Sequence, residues 1–170
     1  MHGQFGATDR IRTLGDPVLK QETRDVSMFG EDLTGLLETM FEVMDREQGV
    51  GLAAPQIGVQ KRLMVWRHPE TEERYVLVNP RIVERSEETE VAEEGCLSIP
   101  GRVMQVERAE RVVVEGTDVS GAPVTLEAMG LLARIMQHEI DHLEGNLILD
   151  RTSAEERRRV LREIRQSMDA

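Results

Sequence analysis

The sequence predicts an α+β fold: mostly antiparallel strands around a central helix, with one N-terminal and one C-terminal helix. Three observations lead there. Apolar residues recur at helical spacing in three separate stretches. Several short β-rich runs, divided by turn residues, lie between the first of these and the second. The order is one helix, many strands and then two helices, rather than the alternation of a βαβ repeat.

In the first stretch, Leu33, Leu36, Leu37, Met40, Phe41 and Met44 fall at i, i+3, i+4, i+7, i+8 and i+11, which predicts a helix over about 31–45 that Gly49 can end. A Gly/Ala-rich loop, GVGLAAPQIG, follows from Gly49 to Gly58. Strand-like runs come next at 63–66, 75–78, 81–84, near 102–106, 111–116 and 123–126. His68-Pro69, Asn79-Pro80, Pro100-Gly101 and Ser120-Gly121 punctuate them as turns. The central helix is predicted from Glu127 to about Leu143, with Leu131, Ile135, His138 and His142 on one face and Gly145 as its C′ residue. A final helix is expected over about 154–167, with Val160, Leu161, Ile164 and Met168 as its apolar stripe. Residues 1–10 read as a flexible tail and 11–170 as a single domain, a size that suits one core.

Composition narrows the function. A net charge of −11 argues against general binding to a phosphate backbone. The charge is uneven: residues 151–170 hold six Arg against four acids, a local +2, leaving −13 on residues 1–150. No apolar run approaches a membrane span, and MHGQFGATDR lacks the apolar stretch of a secretory signal, so a cytoplasmic protein is expected. The single cysteine, Cys96, rules out an intrachain disulfide. Nine methionines among few aromatics are read as packing material.

The strongest chemical signal is His138-Glu139-Ile140-Asp141-His142. On a helix, i and i+4 place both imidazoles on one face, where they can share one divalent ion. The central helix is therefore read as a metal-binding helix. Glu139 sits beside the pair and can take the proton of an attacking water. Catalytic sites of this kind have three protein ligands and an open position. Cys96, in EEGCLSIPG, is the third candidate. Read alone it is a small buried hydrophobe, or a thiolate nucleophile that would need a histidine as base; with both histidines already paired by spacing, ligation is favoured. In the glycine-rich loop, Gly49 and Gly51 permit close backbone approach, and Gln56 is either a surface residue of a tight loop or a donor to a developing oxyanion.

Three motifs now stand in order: GVGLAAPQ (49–56), EGCLS (94–98) and QHEIDH (137–142). Together they resemble the peptide deformylases, over most of the chain from IRTLGDPVL (11–19) to LDR (149–151). The resemblance implies a bacterial or organellar hydrolase that removes the N-formyl group from the starting methionine of nascent polypeptides, releasing formate. It places the metal ligands on Cys96, His138 and His142 and the general acid/base on Glu139. It puts the oxyanion stabilisers on the Gln56 amide and the Leu97 backbone N–H. Backbone groups of Val50, Gly51 and Gly95 would hold the peptide as an added strand, and Leu131 and Ile135 would receive the methionine side chain. The family's ion is commonly Fe(II), with Zn, Ni or Co able to substitute. The protein is expected to act as a monomer.

Other readings are a metallopeptidase cleaving ordinary peptide bonds, and a non-catalytic protein with a structural metal. No fourth Cys or His is evident for a closed structural site, since His2 and His68 lie in the tail and a turn. Arg134, unexpected beside a methionine pocket, is read as snorkelling to solvent, or else as gripping substrate. Glu94 is expected to orient Gln56 or an arginine such as Arg102, and Asp141 either supports a ligand histidine or faces solvent. Five Arg within 157–165 form a basic face, either merely solvated or touching ribosomal RNA.

Overall fold

The computed structural model describes residues 10–169. The expected tail, apart from Arg10, and Ala170 lie outside them. Helix α1 runs Glu31–Arg46. Seven strands follow: β1 Gly51–Ala53, β2 Leu63–Arg67, β3 Arg74–Arg85, β4 Thr89–Cys96, β5 Ile99–Ala109, β6 Arg111–Thr117 and β7 Pro123–Met129. Helix α2 runs Gly130–Leu143 and α3 Ala154–Met168. Short 3-10 turns cover Pro17–Lys20, Ala54–Ile57 and Ile148–Asp150. Among the described residues no helix is long and apolar enough to cross a membrane.

The strands form two sheets. A five-stranded sheet has the order β1-β2-β3-β6-β7, and β4 and β5 form a separate ribbon. All pairings are antiparallel. Helix α2 packs against both sheets, so ten of its residues are buried, polar ones included. Its docking to the end of β5 is fixed by Gln137, whose Oε1 accepts from Ala109 N at 3.1 Å while its Nε2 donates to Ala109 O at 2.9 Å. One apolar cluster joins α1 to β1, β2 and the Ala54–Ile57 turn, through residues such as Met40, Met44, Leu52 and Leu63. A second joins the five-stranded sheet to α2 through Met64, Val112, Val114, Met136 and Ile140. A third ties the ribbon to α3 and the Ile148–Asp150 turn. Burying each such Leu, Ile or Met contributes roughly 1.5–3 kcal/mol.

Several expectations change. Helix α2 begins three residues later than the periodicity implies, because Glu127–Met129 remain paired to β6. The runs at 75–78 and 81–84 are one strand. Asn79-Pro80 is a bulge within it, not a turn, and the register shifts there. Asn79 adopts φ 53° and its amide bonds both Val26 N (2.7 Å) and Val26 O (3.0 Å), pinning the segment before α1. Pro100-Gly101 likewise sits inside β5. Strands β1 and β4 carry no clear sequence signal: one is three residues inside a glycine-rich loop, the other is largely exposed and rich in Glu. On α3, Val160 is buried and Leu161 and Ile164 pack against the third cluster, but Met168 is exposed and lies beyond the packed stripe.

Candidate metal centre and active site

Cys96 ends β4, and a two-residue connection, Leu97-Ser98, leads into β5. His138 and His142 stand one turn apart on the face of α2 turned to that connection. Cys96 Sγ and one nitrogen from each histidine lie within 4.8 Å of one another. Cys96 Sγ is 3.4 Å from His142 Nε2. An ion bonded tetrahedrally to sulfur at about 2.3 Å and nitrogen at about 2.1 Å holds such ligands roughly 3.6 Å apart, so the three donors fit a single ion. Burial works against ionisation of the thiol, but the charge of His142 and hydrogen bonds with both imidazoles outweigh it and hold Cys96 well below the usual thiol range. That favours the thiolate, the form that binds metal.

One ligand is anchored from behind. Glu94 Oε1 lies 2.8 Å from His138 Nδ1, which turns Nε2 of that ring towards the cluster. Glu94 is itself held by Arg108, with Nε–Oε2 2.9 Å and Nη2–Oε1 3.0 Å, and by Arg134, with Nη1–Oε2 2.7 Å. Burial opposes the charge on Glu94, yet the bonds with His138 and Arg108 prevail and hold its carboxyl at about 2. Arg108 also bonds Asp141 Oδ2 at 2.6 Å, and Arg151 bonds both oxygens of Asp141. The result is a largely buried ionic network against α2, in which each carboxylate meets two guanidinium groups.

This network corrects three expectations. Arg134 does not snorkel: it is 8% exposed, and its Nη1 and Nη2 donate to Glu94 Oε2, Val106 O and Glu90 O. Glu94 orients His138, not Gln56 or Arg102. Asp141 is buried but bonds arginines rather than a ligand histidine. Nothing local in the sequence marks Arg108 as part of the site. It is a basic residue at a buried position of an alternating strand; its register partner on β4 is Glu90, while the carboxylate it binds, Glu94, lies four residues further along.

Glu139 is 3% exposed, and its Oε1 is buried with no partner among the described residues. Burial pushes its carboxyl up. Gly51 makes room for it: a Cβ at that position would lie 2.6 Å from Glu139 Oε2. Gln56 is buried in the Ala54–Ile57 turn. Its Oε1 accepts from Ala53 N at 3.0 Å, which aims the NH2 group at Ser98 Oγ (3.2 Å) and Cys96 Sγ (3.9 Å).

A cavity of about 660 Å³ opens over these groups, a size that suits a small peptide end. Val50 and Gly51 line one side and Gly95 and Leu97 another. Leu131, 58% exposed, stands in its wall with the buried Ile135 one turn further on. Strand β1 is an edge of the large sheet and β4 of the ribbon, and both border this cavity.

A family model described as polypeptide deformylase matches residues 8–158. The chain is 49% identical over 144 residues to peptide deformylase 2 of Gloeobacter violaceus, spanning 83% of this chain and 77% of that protein. The crystal structure of the Thermotoga maritima peptide deformylase matches with a TM-score of 0.81 at 45% identity, over 85% of this chain and 97% of that one. That of the Ehrlichia chaffeensis peptide deformylase in complex with actinonin matches with a TM-score of 0.87 at 36% identity, over 93% and 96%. Nothing in these likenesses favours the metallopeptidase reading. The chain belongs to the polypeptide deformylase family, metal-dependent hydrolases that remove the N-formyl group from nascent polypeptides.

Proposed function

We propose that Cys96, His138 and His142 hold one divalent ion, physiologically Fe(II), and that Glu139, Gln56 and the Leu97 N–H carry out deformylation around it. The observation that supports this most is the unpartnered, buried carboxylate oxygen of Glu139 beside three converging ligand atoms in the wall of a peptide-sized cavity. When bound, the ion supplies Lewis acidity, polarising the formyl carbonyl and lowering the pKa of water. A thiolate with two imidazoles suits Fe(II), Zn, Ni or Co.

The residues divide the work. Glu139 takes a proton from the attacking water, a task suited by a carboxyl raised by burial. As oxygen attacks the formyl carbon, the carbonyl oxygen gains negative charge. The Gln56 amide, pre-aimed by Ala53 N–H, and the Leu97 N–H donate to it. Glu139 then returns the proton to the leaving amine, so the C–N bond breaks to give formate and a free N-terminus. The peptide lies extended between the free edges of β1 and β4, bonded by backbone groups of Val50, Gly51 and Gly95. Its methionine side chain enters beside Leu131 and Ile135. Formate release from formyl-Met peptides, with no cleavage of unformylated ones, is the expected outcome for protein purified without oxygen. Metal analysis of the same sample should give one ion per chain. Cleavage of unformylated peptides would return the metallopeptidase reading.

We place this activity in a bacterial cytoplasm or an organelle, in a monomer, with contact to the ribosome through α3. The basic face is divided. Arg157 bonds Leu149 O, and Arg159 bonds Glu156, Glu163 and Val103 O. Arg158, Arg162 and Arg165 are exposed, with no ion pair among the described residues. Cosedimentation with ribosomes at low and moderate salt should weaken, and lose salt dependence, when these three become Gln. Unchanged binding would leave the face as a solvated surface.

A further inference from the structure

Two arginines line the active cavity, and they differ in kind. Arg134 is spent on three protein acceptors. Arg102 is not. It sits on an excursion of β5: Cys96 faces Ile99 and Gly95 faces Val103, so Pro100, Gly101 and Arg102 have no register partners on β4. Gly101 turns the backbone there with φ 72°. The excursion lies close to the metal-ligand strand, since a Cβ at Gly95 would be 3.7 Å from Arg102 O. The Arg102 guanidinium makes one long bond, Nη2 to Glu163 O at 3.3 Å, which ties it to α3. Its Nε is buried with no partner, and no carboxylate of the described residues pairs with it. Guanidinium groups bind carboxylates through two parallel N–H donors; with Nε closed off from solvent, the fork left to a ligand is the Nη1–Nη2 pair.

We propose that Arg102 is a specificity-determining residue: it favours formylated peptides with a carboxylate side chain at the second or third position. This rests on the deformylase reading above. The methionine side chain is directed to Leu131 and Ile135 on α2, which leaves Arg102, on β5, to the residues that follow. The preference is local. The chain carries −11 overall, and Glu47 and Glu93 also line the cavity, so the general field repels an acidic peptide. An advantage for such a peptide therefore has to come from a nearby cation, and Arg102 is the cavity-lining one without a carboxylate of its own.

The test uses metal-loaded enzyme and two peptide series, formyl-Met-X-Ala-amide and formyl-Met-Ala-X-amide, with X either Glu or Gln. The amide removes the chain-end carboxylate as a competing partner. The expected result is a KM lower for Glu than for Gln by roughly three- to tenfold in at least one series, the size of one partly exposed charge-assisted hydrogen bond. Arg102→Gln should abolish that ratio, and Arg102→Lys, which keeps the charge but not the planar fork, should keep part of it. Equal KM for Glu and Gln with the unaltered enzyme, or a ratio that survives Arg102→Gln, overturns the proposal. Absence of formate from every peptide overturns the deformylase reading beneath it, and is told apart because the Gln peptides report that reading alone.

Discussion

Replacing Glu139 with Gln should lower kcat by about 10²–10⁴, the usual contribution of a positioned general acid/base, while metal per chain stays the same. The two side chains share a shape, so the amide fits beside Gly51 as the carboxylate does. It cannot accept a proton. Stability should hold or rise, because a buried carboxylate is costly in its charged form and the amide is not. This separation matters: a variant that melts no earlier, keeps its ion and still fails to release formate has lost chemistry alone. Turnover near normal would remove Glu139 from the proton-transfer role.

Gln56→Ala should cost roughly 10²–10³ in kcat, as for loss of one oxyanion donor, with a smaller change in KM. The substitution also strands Ala53 N–H, which now bonds Gln56 Oε1. A second variant separates the two effects. Gln56→Glu retains an acceptor for Ala53 N–H but turns a second carboxylate oxygen towards the developing negative charge. It should be at least as impaired as the alanine variant, and its melting reads the cost of a buried carboxylate apart from that of a stranded Ala53 N–H. Steady-state kinetics and thermal unfolding on both variants decide this. A defect confined to KM would assign Gln56 to ground-state binding instead.

How far these roles could be read in advance depended on the range of the signal. Helices α1 and α3 announce themselves through local periodicity, and each begins and ends within a residue of the expected bounds. The histidine pair is legible for the same reason, since helical spacing alone puts both rings on one face. Strand β4 is not legible, because a ribbon with one solvated face and three glutamates lacks a clean alternation. The supports of the site were hidden more deeply. Glu94, Arg108, Arg134 and Asp141 are 14 to 40 positions apart in their pairings, and which carboxylate meets which guanidinium follows from the register of β4 on β5 and the rotation of α2. A charged residue in a helix otherwise facing a pocket reads as solvated until those partners are seen, which is why Arg134 misled. Turn dipeptides misled in the opposite direction: Asn79-Pro80 and Pro100-Gly101 bend strands without ending them.

The centre draws on three segments that are far apart in the chain. Gln56 meets Cys96 across 40 positions and Cys96 meets His142 across 46, with no short-range contact able to bring them together. No fragment of the chain released early in synthesis contains a working site, and no locally folded piece does. Closing loops of that length comes late in folding, after local helices and hairpins have formed. Enzymatic activity is thus a stringent clock for maturation of this molecule. In a refolding experiment helical signal should return first, with catalysis appearing only when the two sheets have closed on the helix between them.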